Sequence, residues 1–157
     1  MYRRSLAALP EVAIPDGYQL REYRPGDEVS AAECLSAAFG ELWTSEKVLV
    51  ELAENSATWK MFVIVHGQQV VATATARATE IAGQGYVHWV GAHPDHSGKR
   101  LGYSVTLAVL HECAAQGATW AILTTDDPRL PAIQTYLHLD FEPIILDESQ
   151  PERWEQV

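Results

Sequence analysis

The sequence predicts one α+β domain, a mixed and mostly antiparallel twisted sheet flanked by helices, and three observations carry that prediction. Segments with strand and helix patterning follow one another as β-α-α-β-β-β-α-β-α-β. Two β-rich runs, Met61-Phe-Val-Ile-Val65 and Val70-Val-Ala-Thr-Ala-Thr75, are joined by His66-Gly-Gln-Gln69, a hairpin signal. Further on, a strand, a long helix and a strand follow directly, and the right-handed crossover between such strands makes them parallel.

Each element has its own local reason. After Pro15-Asp16-Gly17, the segment Tyr18-Gln-Leu-Arg-Glu-Tyr23 alternates in character and reads as the first strand, closed by Pro25-Gly26. Asp27 is placed to cap a helix with apolar positions Val29, Ala32, Cys34, Leu35, Ala38 and Phe39, and Gly40 is its stop signal. A second helix starts near Ser45, where Val48, Leu49, Leu52 and Ala53 share one stripe. The hairpin follows, and Gly83-Gln-Gly85 turns the chain into the strand Tyr86-Val-His-Trp-Val-Gly-Ala92, which ends at His93-Pro94. Residues 101–116 form a helix apolar on most of its circumference, which must therefore be covered on a wide face, and Gly117 ends it. Trp120-Ala-Ile-Leu-Thr124 is a compact strand, residues 130–139 a last helix, and Pro143-Ile-Ile-Leu146 a last strand. Residues 1–16 stand before this pattern as an N-terminal extension and residues 147–157 after it as a C-terminal tail.

At 157 residues the chain has room for one core and not for two ordinary ones, so residues 1–157 are read as a single domain. A net charge of -10 argues against a nucleic-acid partner, which needs clustered Lys and Arg, and favours neutral or cationic substrates. Cys34 and Cys113 both sit in apolar helical runs and read as buried reduced thiols, which fits a cytoplasmic protein. Pro10 and Glu11 cut the basic, apolar start short of signal-peptide length, and no later run is long enough to span a bilayer. No metal is expected. Asp126-Asp127 lack a recognisable third ligand and suit a turn or cap, and the histidines show no HxxxH or HxH spacing, with His93 and His96 in a loop.

The informative stretch is Val90-Gly-Ala-His-Pro-Asp-His-Ser-Gly-Lys-Arg-Leu-Gly-Tyr103, a strand running through a Gly-containing loop into a helix. Loop amides and a helix N-terminus present unpaired N–H donors and the positive end of the helix dipole to one point, where a pyrophosphate fits. Lys99 and Arg100 add local positive charge. By Gly content alone this is a plain strand-to-helix connection carrying two solvated cations.

The stretch Ala92-His-Pro-Asp-His-Ser-Gly-Lys-Arg-Leu-Gly-Tyr103 resembles the hallmark of the GNAT acetyltransferase superfamily, with Pro94, Gly98 and Gly102 matching. Ser97 stands where Arg or Gln is usual, and Arg100 where the central Gly is usual. Downstream, Ala132-Ile-Gln-Thr-Tyr-Leu-His-Leu-Asp-Phe141 resembles a second family segment in Ala132, Tyr136 and Phe141, with Asp140 in place of Gly and Arg129 where Asn often stands. The resemblance covers residues 18–146 and implies the GNAT fold, with splayed central parallel strands. It implies acyl-CoA, most simply acetyl-CoA, held by Val90, Gly91, Ala92, Ser97, Gly98, Lys99, Arg100, Leu101, Gly102, Tyr103 and Arg129. Val90, Gly91 and Ala92 are the expected backbone partners of the pantetheine arm, and their N–H groups the natural oxyanion stabilisers.

By residue type alone, Tyr136 packs its ring in the last helix; the resemblance makes it the proton donor to the departing coenzyme A thiolate. The base that takes the amine's proton is open among Glu41, Glu80, His88 and Asp126, with His88 on the strand beside the expected thioester. Trp43 and Trp59 flank the second helix, where an aromatic walls either an acceptor pocket or the core. The implied activity is N-acyl transfer, with acetyl the expected group, to a primary amine of a small molecule by direct attack in a ternary complex. A non-catalytic acyl-CoA-binding or sensing domain and a protein Lys or N-terminal acetyltransferase are the alternatives. A homodimer is expected from the family.

Overall fold

The computed structural model describes residues 1–145 and Trp154. Its strands are β1 (Tyr2–Arg3), β2 (Tyr18–Glu22), β3 (Thr58–His66), β4 (Gln69–Ala78), β5 (Gln84–Ala92) and β6 (Trp120–Ile122). The helices are α1 (Glu28–Phe39), α2 (Ser45–Val48) continued by a π-helical turn Leu49–Ala53, α3 (Leu101–Ala115) and α4 (Leu130–His138). The strands form one six-stranded sheet in the order β1-β6-β5-β4-β3-β2. Every neighbouring pair is antiparallel except β5 and β6, which α3 connects as a crossover.

The two faces of the sheet bury different helices. On one face α3 lays Leu101, Val105, Leu107, Val109, Leu110 and Cys113 into a core with Ile64, Val71, Ala74, Val87 and, from α4 and beyond, Tyr136 and Phe141. On the other, Ala31, Cys34 and Leu35 of α1 and Val48 and Leu52 of the second helical segment pack on Met61, Val63 and Val65. The strand residues of these two cores alternate along β3, as a strand covered on both faces requires.

Several boundaries differ from the sequence reading, for identifiable reasons. Residues 1–16 are not merely an extension, because Tyr2 and Arg3 pair antiparallel with Ile122 and Ala121 and close that edge of the sheet. A two-residue strand has no periodicity to read. Gln84 and Gly85, read as turn, already belong to the β5 ladder. The last strand is reduced to a single bridge between Glu142 and Tyr2, while residues 143–145 are outside any ladder and Leu146 lies outside the described residues. Among the described residues no helix is long and apolar enough to cross a membrane.

Asp27 occupies the N-cap position of α1 but makes no side-chain cap bond. Its carboxylate instead takes both arms of the Arg21 guanidinium, at 2.6 and 2.8 Å, and the Arg24 amide at 2.8 Å. The Arg21 hydrogen bonds hold the Asp27 carboxyl below its ordinary value, so this pair stabilises the fold above the unfolded carboxylate pKa of about 3.9 and that contribution is lost as pH falls through the depressed folded value. Asp27→Asn should therefore lower Tm at neutral pH, and the gap from wild type should close as both are titrated to acid. A gap independent of pH would show that the charge is not what Asp27 contributes.

Candidate functional site

The site begins with a parting of strands. β5 and β6 pair at Gln84–Trp120, Gly85–Ala121 and Tyr86–Ile122 and then separate, although β5 continues beside β4 as far as Ala92. Just past the last pair, the Tyr86 hydroxyl and Thr124 Oγ1 meet at 2.9 Å and tie the base of the gap. The register with β4 also slips once inside β5: Thr75 faces His88 while Thr73 faces Gly91, so β5 carries an extra residue there. Trp89 within this bulge has φ +47, a backbone region that bulky residues rarely occupy.

The gap opens into a cavity of about 760 Å³ walled by β5, the loop and start of α3, the segment after β6, α4, and the end of α1. Its loop wall is built from backbone. Ser97 closes a single 3₁₀ turn by donating to the Pro94 carbonyl at 3.0 Å, Gly98 follows at φ +74, and α3 starts after Arg100 at φ +56. Among the described residues, none of the backbone amides of residues 98–103 donates to a protein acceptor. These are the donors that a helix start leaves over, and they converge with the positive end of a helix dipole. Arg100 thus adopts the left-handed conformation that its position asks of a glycine, at a cost of about 1–2 kcal/mol, and lays its guanidinium 4.4 Å from the Tyr103 ring centre. Lys99 Nζ stands 5.9 Å from the Tyr18 ring centre, so both cations sit at the rim of the loop.

The sequence-predicted residues Val90, Gly91, Ala92, Ser97, Gly98, Lys99, Arg100, Leu101, Gly102, Tyr103, Arg129, Tyr136 and His88 all line this cavity. They do so in different ways. Leu101 is 2% exposed, so its side chain belongs to the core and only its amide faces the loop. Gly91 lies under α1, where an added Cβ would meet Phe39 Cε2 at 3.1 Å and Leu35 Cδ2 at 3.2 Å. Arg129 stacks on the Phe39 ring at 4.2 Å and reaches Asp126 Oδ2 at 3.3 Å, which joins the start of α4 to the end of α1 across the cleft.

Tyr136 is 5% exposed, and burial raises its phenol to about 12, with Arg129 opposing the shift. Its hydroxyl makes no hydrogen bond among the described residues and is not among the sealed, unpartnered polar atoms, so Tyr136 brings an unengaged, protonated phenol to the cavity lining. His88 is held neutral, lowered to about 4 by burial and then by Arg77. Of the other base candidates, Glu41 and Asp126 reach the cavity wall, whereas Glu80 lies outside it in the connection from β4 to β5. Glu41 Oε1 accepts from Trp43 Nε1 at 3.0 Å and lies 3.5 Å from Lys47 Nζ.

Trp43 is core, 3% exposed, and Trp59 stands away from the cavity. The aromatic wall comes instead from Phe39, Tyr86 and Trp89, with Trp89 edge-on to Phe39 at 4.8 Å and to Trp43 at 4.6 Å. Tyr86 and Trp89 were legible only as strand residues, because the bulge that turns Trp89 is a property of pairing and not of composition. No group of three or more His, Cys, Asp or Glu side chains among the described residues could hold a metal.

The cleft lies between two parallel strands that part and is floored by uncommitted amides at a helix start, donors of the kind that an anion takes. Residues 29–141 match the family model described as the acetyltransferase (GNAT) family, and the chain belongs to that family. It is 32% identical over 166 residues to the mycothiol acetyltransferase of Nocardia farcinica, a match covering 92% of this chain and 52% of that protein. The chain thus spans about half the length of the curated relatives it matches. Its fold is that of the GCN5-related N-acetyltransferase of Sphaerobacter thermophilus, at TM-score 0.71 and 21% identity over 90% of this chain and 46% of that one. It is also that of the Escherichia coli ribosomal-protein-S18-alanine N-acetyltransferase, at TM-score 0.69 and 16% identity over 82% and 79%.

Proposed function

We propose that this chain transfers an acetyl group from acetyl-CoA to the primary amine of a small molecule, by direct attack with both substrates bound. The observation that carries the reading is the pairing of two vacancies in the hydrogen-bond pattern among the described residues: amides 98–103 without protein acceptors, and a β5 edge without a β6 partner beyond Tyr86. The first suits the pyrophosphate, with Lys99 and Arg100 adding charge at the rim. The second suits the pantetheine arm, laid along residues 90–92 as a strand would be. Similarity to mycothiol acetyltransferases over about half of their length supports a small-molecule acceptor.

In this reading the amine nitrogen attacks the thioester carbon, a C–N bond forms, the C–S bond breaks, and the Tyr136 phenol gives its proton to the leaving thiolate. The amine's surplus proton goes to a carboxylate of the cavity wall, Glu41 or Asp126. No covalent acyl-cysteine takes part: Cys34 and Cys113 are fully buried with thiols raised to about 12 by desolvation, and neither lines the cavity. Free buried thiols suit a reducing cytoplasm.

Acetyl-CoA at 100 times its Kd should stabilise the protein by about 2.7 kcal/mol, read as a rise in Tm. A panel of primary amines assayed by free thiol release should then show acceptor-dependent turnover. Absence of any thermal stabilisation by acetyl-CoA at saturation would end the transferase reading.

A further inference from the structure

We infer that His88 serves this reaction as a fixed hydrogen-bond donor to an oxygen of the acceptor beside its amine, with Arg77 as the positioning residue that sets the imidazole tautomer. The inference rests on the transferase reading and begins with one contact. Arg77 Nη1 lies 2.9 Å from His88 Nε2. A guanidinium has only N–H groups to offer, so Nε2 must be the accepting nitrogen. A neutral imidazole has one N–H, which is therefore on Nδ1.

The geometry leaves little freedom to change this. Arg77 is on β4 directly opposite Tyr86, and its Nη2 donates to the Glu51 backbone carbonyl in the π-helical turn. It is thereby held between the sheet and the helical layer. Protonating His88 at Nε2 would set one N–H against another, and the lowered pKa of the ring has this repulsion as its second cause after burial. The other rings beside it are Tyr86 and Trp89 of its own strand, at 5.1 and 6.0 Å between centroids, and neither hydrogen-bonds the imidazole among the described residues, the Tyr86 hydroxyl being engaged with Thr124 Oγ1. The Glu51 carboxylate acts on the guanidinium and not on the imidazole.

His88 Nδ1 makes no hydrogen bond among the described residues, is not among the sealed polar atoms, and His88 lines the cavity. The N–H therefore opens into the site. Its place along β5 says what it meets. From Ala92, next to the phosphate loop, to His88 is about 13 Å at strand rise. The arm is assigned to residues 90–92, so His88 lies past the thioester, on the acceptor's side. A nitrogen that carries its proton and whose partner nitrogen is occupied is unsuited to take the amine's proton. It is suited to hold a carbonyl or hydroxyl oxygen, and so to aim the neighbouring amine.

Long-range proton–nitrogen NMR of the histidine rings, with His88→Gln to assign the signal, should show His88 as the neutral Nδ1–H form from pH 8 down to about pH 5. Arg77→Met should free Nε2 to carry the proton, so that the Nε2–H form appears, and should raise the ring's pKa only part of the way back, because burial, the larger cause, remains. In wild type an Nε2–H form, or a charged ring at pH 6, overturns the assignment. For the acceptor, 2-aminoethanol and 1-aminopropane are compared at saturating acetyl-CoA. Wild type should favour the amino alcohol by about 10-fold in kcat/KM, the margin of one hydrogen bond worth 1.4 kcal/mol. His88→Gln should keep part of that preference and His88→Ala should abolish it. Equal rates for the two amines in wild type, including no turnover of either, overturn the acceptor role. Failure of acetyl-CoA to raise Tm would instead remove the underlying reading, and the tautomer result would stand apart from it.

Discussion

Tyr136→Phe should lower kcat for acetyl transfer about 100-fold or more, the usual range for loss of a general acid, while the Kd for acetyl-CoA stays nearly unchanged. The split follows from where the hydroxyl is. The ring packs in the core beside Phe141, with centroids 6.0 Å apart, and Phe can fill that place. Only the oxygen is lost, and it bonds nothing in the protein among the described residues, so no partner is orphaned. Its pKa also sets a pH expectation. A phenol raised to about 12 stays protonated where an ordinary tyrosine near 10 would ionise, so kcat should not fall between pH 9 and about 11 on account of this group. Equal kcat in wild type and Tyr136→Phe would take the phenol out of the mechanism; a matched rise in Kd would make it a binding group.

Gly85→Ala should destabilise the fold by about 1–3 kcal/mol, the cost of forcing a methyl into a packed core, seen as a fall in Tm of about 3–10 °C. A Cβ there would stand 2.7 Å from Cys113 Sγ and 2.8 Å from Cys113 Cβ. Sγ can turn aside but Cβ is fixed to the α3 backbone, so the strand and the helix must move apart. Cys113→Ala in the same chain should recover part of the loss and not all of it. The consequence reaches the site, because Gly85 belongs to the three residue pairs that hold β5 to β6 before they separate. Acetyl-CoA should stabilise the variant less than wild type. A wild-type Tm for Gly85→Ala would show that the close approach is not a constraint.

Two departures from the family pattern that the sequence already displays have a physical account in the folded chain. Arg100 and Asp140 stand where the family pattern has Gly, and both take positive φ, at +56 each. Asp140 is the milder case, since Asp tolerates this region and its carboxylate pairs with the buried Arg3 at 2.7 Å. Arg3 sits in the segment read as an extension, so the partner that makes Asp140 acceptable was invisible from position alone. Arg129, placed by resemblance among the cofactor residues, lines the cavity with its guanidinium over the Phe39 ring and beside Asp126.

Local chemistry and period were enough for the helices, the hairpin, the crossover and the loop that leads into α3, because each depends on residues within one turn or one strand of each other. Gly40 ends α1 at φ +69 and Gly98 bends the loop at φ +74, as their types foretell. The order of those elements then carried the fold class. Three things waited for the folded chain: how far β5 and β6 run together, which way the Trp89 bulge turns, and which nitrogen of His88 Arg77 occupies. Each is decided by partners distant in the chain, and no period or propensity records which of two nitrogens, or which stretch of an edge, is left open once those partners close.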